Sequence, residues 1–170
     1  MKIQIIKYDS VDSTNNVAIR RIRRGKIKPS LIISNFQKKG RGQYGRNWIS
    51  LRGNIFISIY FRVKKNINIR IISKKIYGLV KKSLENFVDE KITIKLPNDL
   101  LIKKEKVCGI LQEIIIHNKN KYFVVGIGIN LYKKPKILNK QVSFLQKYNN
   151  NKIKKTDIYK KIKNNLEKVI

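Results

Sequence analysis

Acidic residues are scarce in this chain. Ten Asp and Glu stand against forty Lys and Arg among 170 residues, a formal net charge of +30. That excess attracts anions and fades with salt. It does not by itself describe a nucleic-acid reader, because the lysines are scattered over every predicted element instead of forming one stripe. A Lys-, Ile- and Asn-rich composition of the kind an AT-biased genome produces accounts for most of the charge, and no specific DNA partner is expected. Cysteine is nearly absent. Cys108 stands alone, which excludes an internal disulfide and fits a reducing cytosol. Histidine is equally rare. His117 lies in the polar stretch His117-Asn118-Lys119-Asn120, expected to be an exposed hairpin turn with no metal or catalytic set around it. No apolar run is long enough to cross a membrane. The start, Met1-Lys2-Ile3-Gln4, lacks a signal-peptide pattern. A cytoplasmic protein is expected.

What is present is a core of globular size: 42% of residues are hydrophobic. Residues 3–8 alternate as a first strand. Asp12-Ser13-Thr14-Asn15 offers helix caps, Val17, Ala18 and Ile22 follow at helical spacing, and Gly25 ends that helix. Residues 31–33 form a short buried strand, and residues 54–63 read as the strongest one. Apolar residues recur every three or four positions from Ile69 to Val88, an amphipathic helix. Three strands are expected at 92–96, 107–116 and 122–127. Pro97-Asn98-Asp99 and the lysine-rich 103–106 read as interruptions. Ile158, Ile162, Leu166 and Val169 mark a terminal helix. The pattern predicts one α+β domain, with a mixed, mostly antiparallel sheet and helices packed on it.

The chemistry concentrates in one loop, Gln37-Lys38-Lys39-Gly40-Arg41-Gly42-Gln43-Tyr44-Gly45-Arg46-Asn47-Trp48. Glycines allow close backbone approach to a ligand. Arginines present forks of donors for phosphate or carboxylate. Trp48, the sole tryptophan, offers a flat face for a ring. Gly40, Gly42 and Gly45 match G-x-G-x-x-G, but Arg46-Asn47-Trp48-Ile49-Ser50 follows rather than a helix, so this is no Rossmann site. No G-K-[ST] occurs either. The loop itself must bind the phosphate. Three further clusters follow: Lys95-Leu96-Pro97-Asn98-Asp99, Lys106-Val107-Cys108-Gly109-Ile110-Leu111 and Gly126-Ile127-Gly128-Ile129-Asn130. Lys106 reaches the Asn98-Asp99 turn if their segments pair, and a lysine beside a carboxylate facing a phosphate loop suits charge stabilisation. Cys108 reads as a small buried apolar residue, Tyr44 as exposed, and Lys38 and Lys39 as solvated.

The ordered set, from Asp12-Ser13-Thr14-Asn15 to Asn130, resembles biotin protein ligases over nearly the whole chain. That resemblance implies the class II synthetase-like biotin/lipoate ligase fold, with residues 1–170 as a catalytic domain and neither a winged helix before it nor a small β-barrel after it. It implies ATP and Mg²⁺ as cofactors, with no metal ligands assignable, and biotin as substrate. It also implies biotinyl-5′-AMP as intermediate, and a lysine on a biotin carboxyl carrier protein (an acetyl-CoA carboxylase subunit) as acceptor. It leaves homodimerisation open. Similarity places Lys106, Arg41 and Asp99 in the catalytic set. Ser13, Thr14, Asn15, Gln37, Arg41, Gly42, Gln43 and Lys106 fall on biotin, and Arg46, Trp48, Asn98 and Asn130 on ATP. Gln43 stands where arginine is common, keeping hydrogen bonding and losing a charge. Leu96 replaces a common tryptophan and Cys108 a small residue, both read as packing changes. The alternatives are a degenerate binder of biotin or nucleotide without efficient transfer, a lipoate or octanoate transferase of the related fold, and a nonspecific nucleic-acid binder.

Overall fold

The computed structural model describes residues 2–64 and 66–168. Strand β1 (Gln4–Val11) leads through helix α1 (Thr14–Arg23) to β2 (Ser30–Gln37), and the glycine–arginine loop then leads to β3 (Ile55–Val63). Helix α2 (Ile69–Leu84) follows, then β4 (Ile92–Lys95), β5 (Asp99–Ile102), β6 (Glu105–His117), β7 (Asn120–Ile129) and α3 (Lys155–Glu167). The seven strands form one sheet in the order β1-β2-β3-β7-β6-β5-β4. The β1–β2 pair, joined through α1, is parallel, and every other pairing is antiparallel. The mixed α+β domain is as expected.

Each face of the sheet buries a different layer. On β3, Ile55, Ile57, Ile59, Phe61 and Val63 enter the main core with Ile72, Ile76, Val80 and Leu84 of α2 and Ile158, Ile162 and Leu166 of α3. Period-two side chains on β3 thus meet period-3.6 stripes on two helices. The opposite face carries a smaller cluster of Val17, Ala18 and Ile22 of α1 with Ile32, Tyr60, Tyr122 and Val124. Helix α1 covers part of that face and leaves the rest for the site.

Two elements differ from expectation. The long helix stops at Leu84, gives way to a 3₁₀ turn at Glu85–Phe87, and leaves Val88 extended. Strand β5, which the sequence pattern does not predict, lies between the two interruptions and takes Asp99 from the first. It pairs with both β4 and β6. The turn that starts β6 puts Lys103 and Lys104 at φ 48° and 66°, the left-handed geometry of tight hairpins. No glycine or asparagine marks it, so composition gave no signal. His117 is half-buried beside Asn120 rather than exposed, because it forms the last β6–β7 pair. Leu96 is 69% exposed, so it fills no packing role. Val169 lies outside the described residues.

Carboxylates paired on the surface make stability depend on acid. The Arg20 guanidinium holds the Asp12 carboxyl well below its ordinary value, and hydrogen bonds from Lys147 and Tyr148 lower that of Glu105. A depressed carboxyl contributes stability above its unfolded value and loses it as pH falls towards the folded one. Thermal melts should therefore be flat near neutrality and fall below roughly pH 4. The Asp12–Arg20 pair is partly solvated, with side chains 33% and 49% exposed. Its share is at most about 1 kcal/mol, or about 2–4 °C. Asp12→Asn should remove that share of the acid slope.

Candidate functional site

On the site face of the sheet, β6 and β7 carry glycines under the loop. In register, Phe56 of β3 aligns with Gly128 of β7 and Gly109 of β6, and Ser58 aligns with Gly126 and Leu111. The glycines leave a shallow floor. Trp48 lies on it: a Cβ at Gly109 would come within 2.6 Å of the indole ring and one at Gly128 within 2.5 Å. Those two positions tolerate glycine alone while the indole stays where it is.

Above the floor is a cavity of about 530 Å³. All thirteen residues expected at the site line it: Ser13, Thr14, Asn15, Gln37, Arg41, Gly42, Gln43, Arg46, Trp48, Asn98, Asp99, Lys106 and Asn130. They come from the start of α1, the end of β2, the loop, the β4–β5 turn, β6 and the end of β7. Six cations line it as well (Arg41, Arg46, Lys95, Lys104, Lys106 and Lys140), against one carboxylate among the described residues, Asp99. The field inside attracts anions.

Lys106 and Asp99 meet as the sequence suggested. Lys106 Nζ stands 2.7 Å from Asp99 Oδ1, a charge pairing without the direction of a hydrogen bond. It also stands 5.3 Å from the centre of the Trp48 ring. A register shift delivers this lysine. Leu100 of β5 faces Cys108, but Leu101 faces Lys106, so β6 carries an extra residue there. Val107 and Cys108 both enter the core, and Lys106 and Gly109 share the site face. Burial pushes the Cys108 thiol far up, which leaves it an inert packing group.

At the other end of the cavity the polar groups form a buried set. Gln37 Oε1 accepts from Thr14 N at 2.8 Å and from Thr14 Oγ1 at 3.1 Å, and Ser58 Oγ donates to Thr14 Oγ1 at 2.7 Å. Ser13 is the N-cap residue of α1, yet its hydroxyl makes no capping hydrogen bond. Back at the Lys106 end, where Asn130 N donates to Val107 O, Asn130 Nδ2 donates to Ser143 O at 3.0 Å. Its Oδ1, the Trp48 indole N–H and Gln43 Oε1 are buried without hydrogen-bond partners. Unpaired buried polar atoms are costly unless a ligand meets them.

The loop is already shaped. Gly42 N donates to Arg46 O at 2.7 Å and Trp48 N to Gly40 O at 2.9 Å. Gln43–Gly45 is a 3₁₀ turn with no α-helix after it, in line with the exclusion of a Rossmann site. Tyr44 is exposed, and Arg46 rests 5.7 Å from the Tyr44 ring centre.

With the geometry in place, comparison with known proteins is decisive. The sequence pattern of the biotin/lipoate A/B protein ligase family matches residues 8–130. The chain belongs to that family. It is 33% identical over 125 residues to the bifunctional ligase/repressor BirA of Escherichia coli K12, a match covering 71% of this chain and 38% of that protein. It is 28% identical over 137 residues to BirA of Bacillus subtilis, covering 77% and 41%. The chain thus spans less than half the length of these relatives. Among solved structures, the biotin protein ligase of Aquifex aeolicus in complex with biotin and ATP superposes with a TM-score of 0.81 at 24% identity, over 97% of this chain and 69% of that one. The Leishmania major biotin protein ligase in complex with biotin gives 0.81 at 18%, over 96% and 72%. These establish the biotin protein ligase catalytic fold for this family member.

Three participants escaped the sequence reading. Ser58 carries a hydroxyl among apolar neighbours of a buried strand, which alternation discloses only once its face is known. Residues 135–142, between β7 and α3, wall one side of the cavity. Asn54 anchors the chain just before that segment: its Oδ1 accepts from the backbone N–H groups of Leu131, Tyr132 and Lys133 at 3.1 Å each. Glu113 is the third.

Proposed function

We propose that this protein activates biotin with ATP and transfers it to a lysine of a biotin carboxyl carrier protein. An oxygen of the biotin carboxylate attacks the α-phosphorus of ATP. The bond to the bridging oxygen breaks, and pyrophosphate leaves. The ε-amine of the carrier lysine then attacks the acyl carbon, loses a proton, and displaces AMP. The observation that carries this reading is the cavity itself: six cations and one carboxylate around a glycine floor capped by an indole.

The roles follow from chemistry. Ser13, Thr14, Asn15 and Gln37 suit the ureido ring, which has donors and acceptors to satisfy in a buried place. The Arg41-Gly42-Gln43 backbone covers biotin and the acyl phosphate. Arg46 meets the triphosphate, Trp48 stacks on adenine, and the unpaired Asn130 oxygen accepts from the base edge. Lys106 neutralises charge where carboxylate meets phosphate. Asn98 and Asp99 orient the adenylate and the incoming amine. Among the described residues, no three His, Cys, Asp or Glu side chains gather to hold a metal. Asp99 is already committed to Lys106, so these residues build no protein cage for Mg²⁺, and a cation carried by the triphosphate keeps mostly phosphate and water ligands. The cytoplasm, where ATP and the carrier meet, is the setting that fits this reaction.

The test incubates the protein with biotin, ATP, Mg²⁺ and an isolated carrier domain, and detects labelled carrier by streptavidin blot and mass. Transfer that requires ATP and stops when the carrier lysine is replaced is expected. Efficient transfer of lipoate instead overturns the biotin assignment. Ligand binding without transfer marks a degenerate binder.

A further inference from the structure

Glu113 lies one row beyond the glycine floor on the same face, where Tyr60, Val124 and Glu113 align across β3, β7 and β6. Its carboxylate gathers two separate elements. Arg41 Nη2 donates to Oε1 at 2.7 Å and Arg41 Nη1 to Oε2 at 3.1 Å, a two-pronged pairing. Asn15 Nδ2, at the start of α1, donates to the same Oε2 at 2.7 Å. Arg41 Nη1 also donates to Asn16 Oδ1 at 2.9 Å. The fork of Arg41 is therefore spent on the protein. Its side chain is 40% exposed and that of Glu113 21%, so the pair borders the cavity without being sealed in it.

We propose that Glu113 is a positioning residue, a latch that holds the cationic loop closed over the cavity through Arg41 and squares the loop against the start of α1 through Asn15. Arg41 then serves through the placement of its backbone, and the charge that meets the ligand comes from Lys106, Arg46 and their neighbours. Two anchors hold the loop: the Arg41–Glu113 pairing at one end and the indole of Trp48 on its glycine floor at the other. The intermediate is a mixed anhydride open to hydrolysis, so the lifetime of loop closure governs how long it is retained. That last consequence rests on the ligase reading; the latch itself does not.

The test separates the two. Glu113→Gln keeps the size of the side chain and an acceptor for Asn15 while removing the charge that holds Arg41. In the unliganded protein, hydrogen exchange of the Gly42 and Trp48 amides should quicken about tenfold. Emission of the sole tryptophan should move to the red, with β6 and β7 amides unchanged. The exchanged pair, Arg41→Glu with Glu113→Arg, should restore slow exchange. With biotin and ATP, Glu113→Gln should release biotinyl-AMP about tenfold faster, with a smaller change in its rate of formation. Wild-type exchange and emission in Glu113→Gln overturn the latch, as does an exchanged pair that stays open. A loop that loosens as expected in a protein that never forms biotinyl-AMP keeps the latch and removes the ligase reading.

Discussion

Lys106→Ala should reduce the rate of biotinyl-AMP formation by about 10²–10³-fold, the usual loss when a fixed charge is taken from a transferring acyl or phosphoryl centre. The physical reason is placement. The ammonium group has an anionic neighbour, Asp99, 2.7 Å away to hold it, and an aromatic face 5.3 Å from it. Alanine removes the cation and leaves the Asp99 carboxylate facing incoming phosphates, so attraction becomes repulsion. The fold should survive, because the Lys106 side chain is 27% exposed and belongs to no apolar cluster. Lys103 supplies the control. It lies three residues earlier and pairs with Glu90 outside the cavity. Lys103→Ala removes the same charge from the molecule and should leave adenylate formation unchanged. A single-turnover assay with labelled ATP, alongside a melting curve, reads both variants. Equal losses in the two would assign the effect to net charge, and an unchanged yield in Lys106→Ala removes Lys106 from the site.

The second large effect comes from filling the floor. Gly128→Val puts a branched side chain where even a Cβ would stand 2.5 Å from the indole. The strand accepts valine readily, since β7 lies between β3 and β6 and β-branched residues suit strands. Trp48 is the party that can move, because it rides on a loop and is half-buried. It should be pushed off the floor and lose its place against the adenine. Loss of a base–aromatic stack of about 1–3 kcal/mol corresponds to about 5- to 150-fold weaker ATP binding. Biotin should weaken much less than ATP, because the Ser13, Thr14 and Gln37 set lies on other elements and the Arg41–Glu113 pairing still holds the other end of the loop. Tryptophan emission reports the displacement, and calorimetric titration of each ligand reports the selectivity. Equal weakening of ATP and biotin would place Trp48 in general packing rather than at the base.

These effects also mark what the chain discloses unaided. The Gly126-Ile127-Gly128-Ile129 alternation shows a strand with one apolar face and one bare face, and the bare face proved to be the floor. The stripe from Ile69 announced its helix, and the loop announced its chemistry through glycine, arginine and tryptophan side by side. Lys106 was harder. It lies three residues before Gly109, and strict alternation puts such a pair on opposite faces. The extra residue in β6 brings them together, and no local composition predicts it. Strand β5 has four residues between two turns, one of them with two lysines in left-handed geometry, too short and too atypical for periodicity to register. Glu113 was invisible for a different reason. A carboxylate on a half-exposed strand position reads as ordinary surface, and its partner Arg41 lies 72 residues away in the chain. The family pattern identified the arginine, but only the folded sheet identifies what holds it.

One measurement bears most directly on the cavity as a chamber for an acyl-adenylate. Mix the protein with biotin, Mg²⁺ and ATP labelled at the α-phosphate, leave out any carrier, and follow the label and the pyrophosphate. Biotinyl-AMP should accumulate to about one per protein molecule with matching pyrophosphate, and only when biotin is present. Label that stays in ATP, or pyrophosphate released at the same rate without biotin, contradicts it.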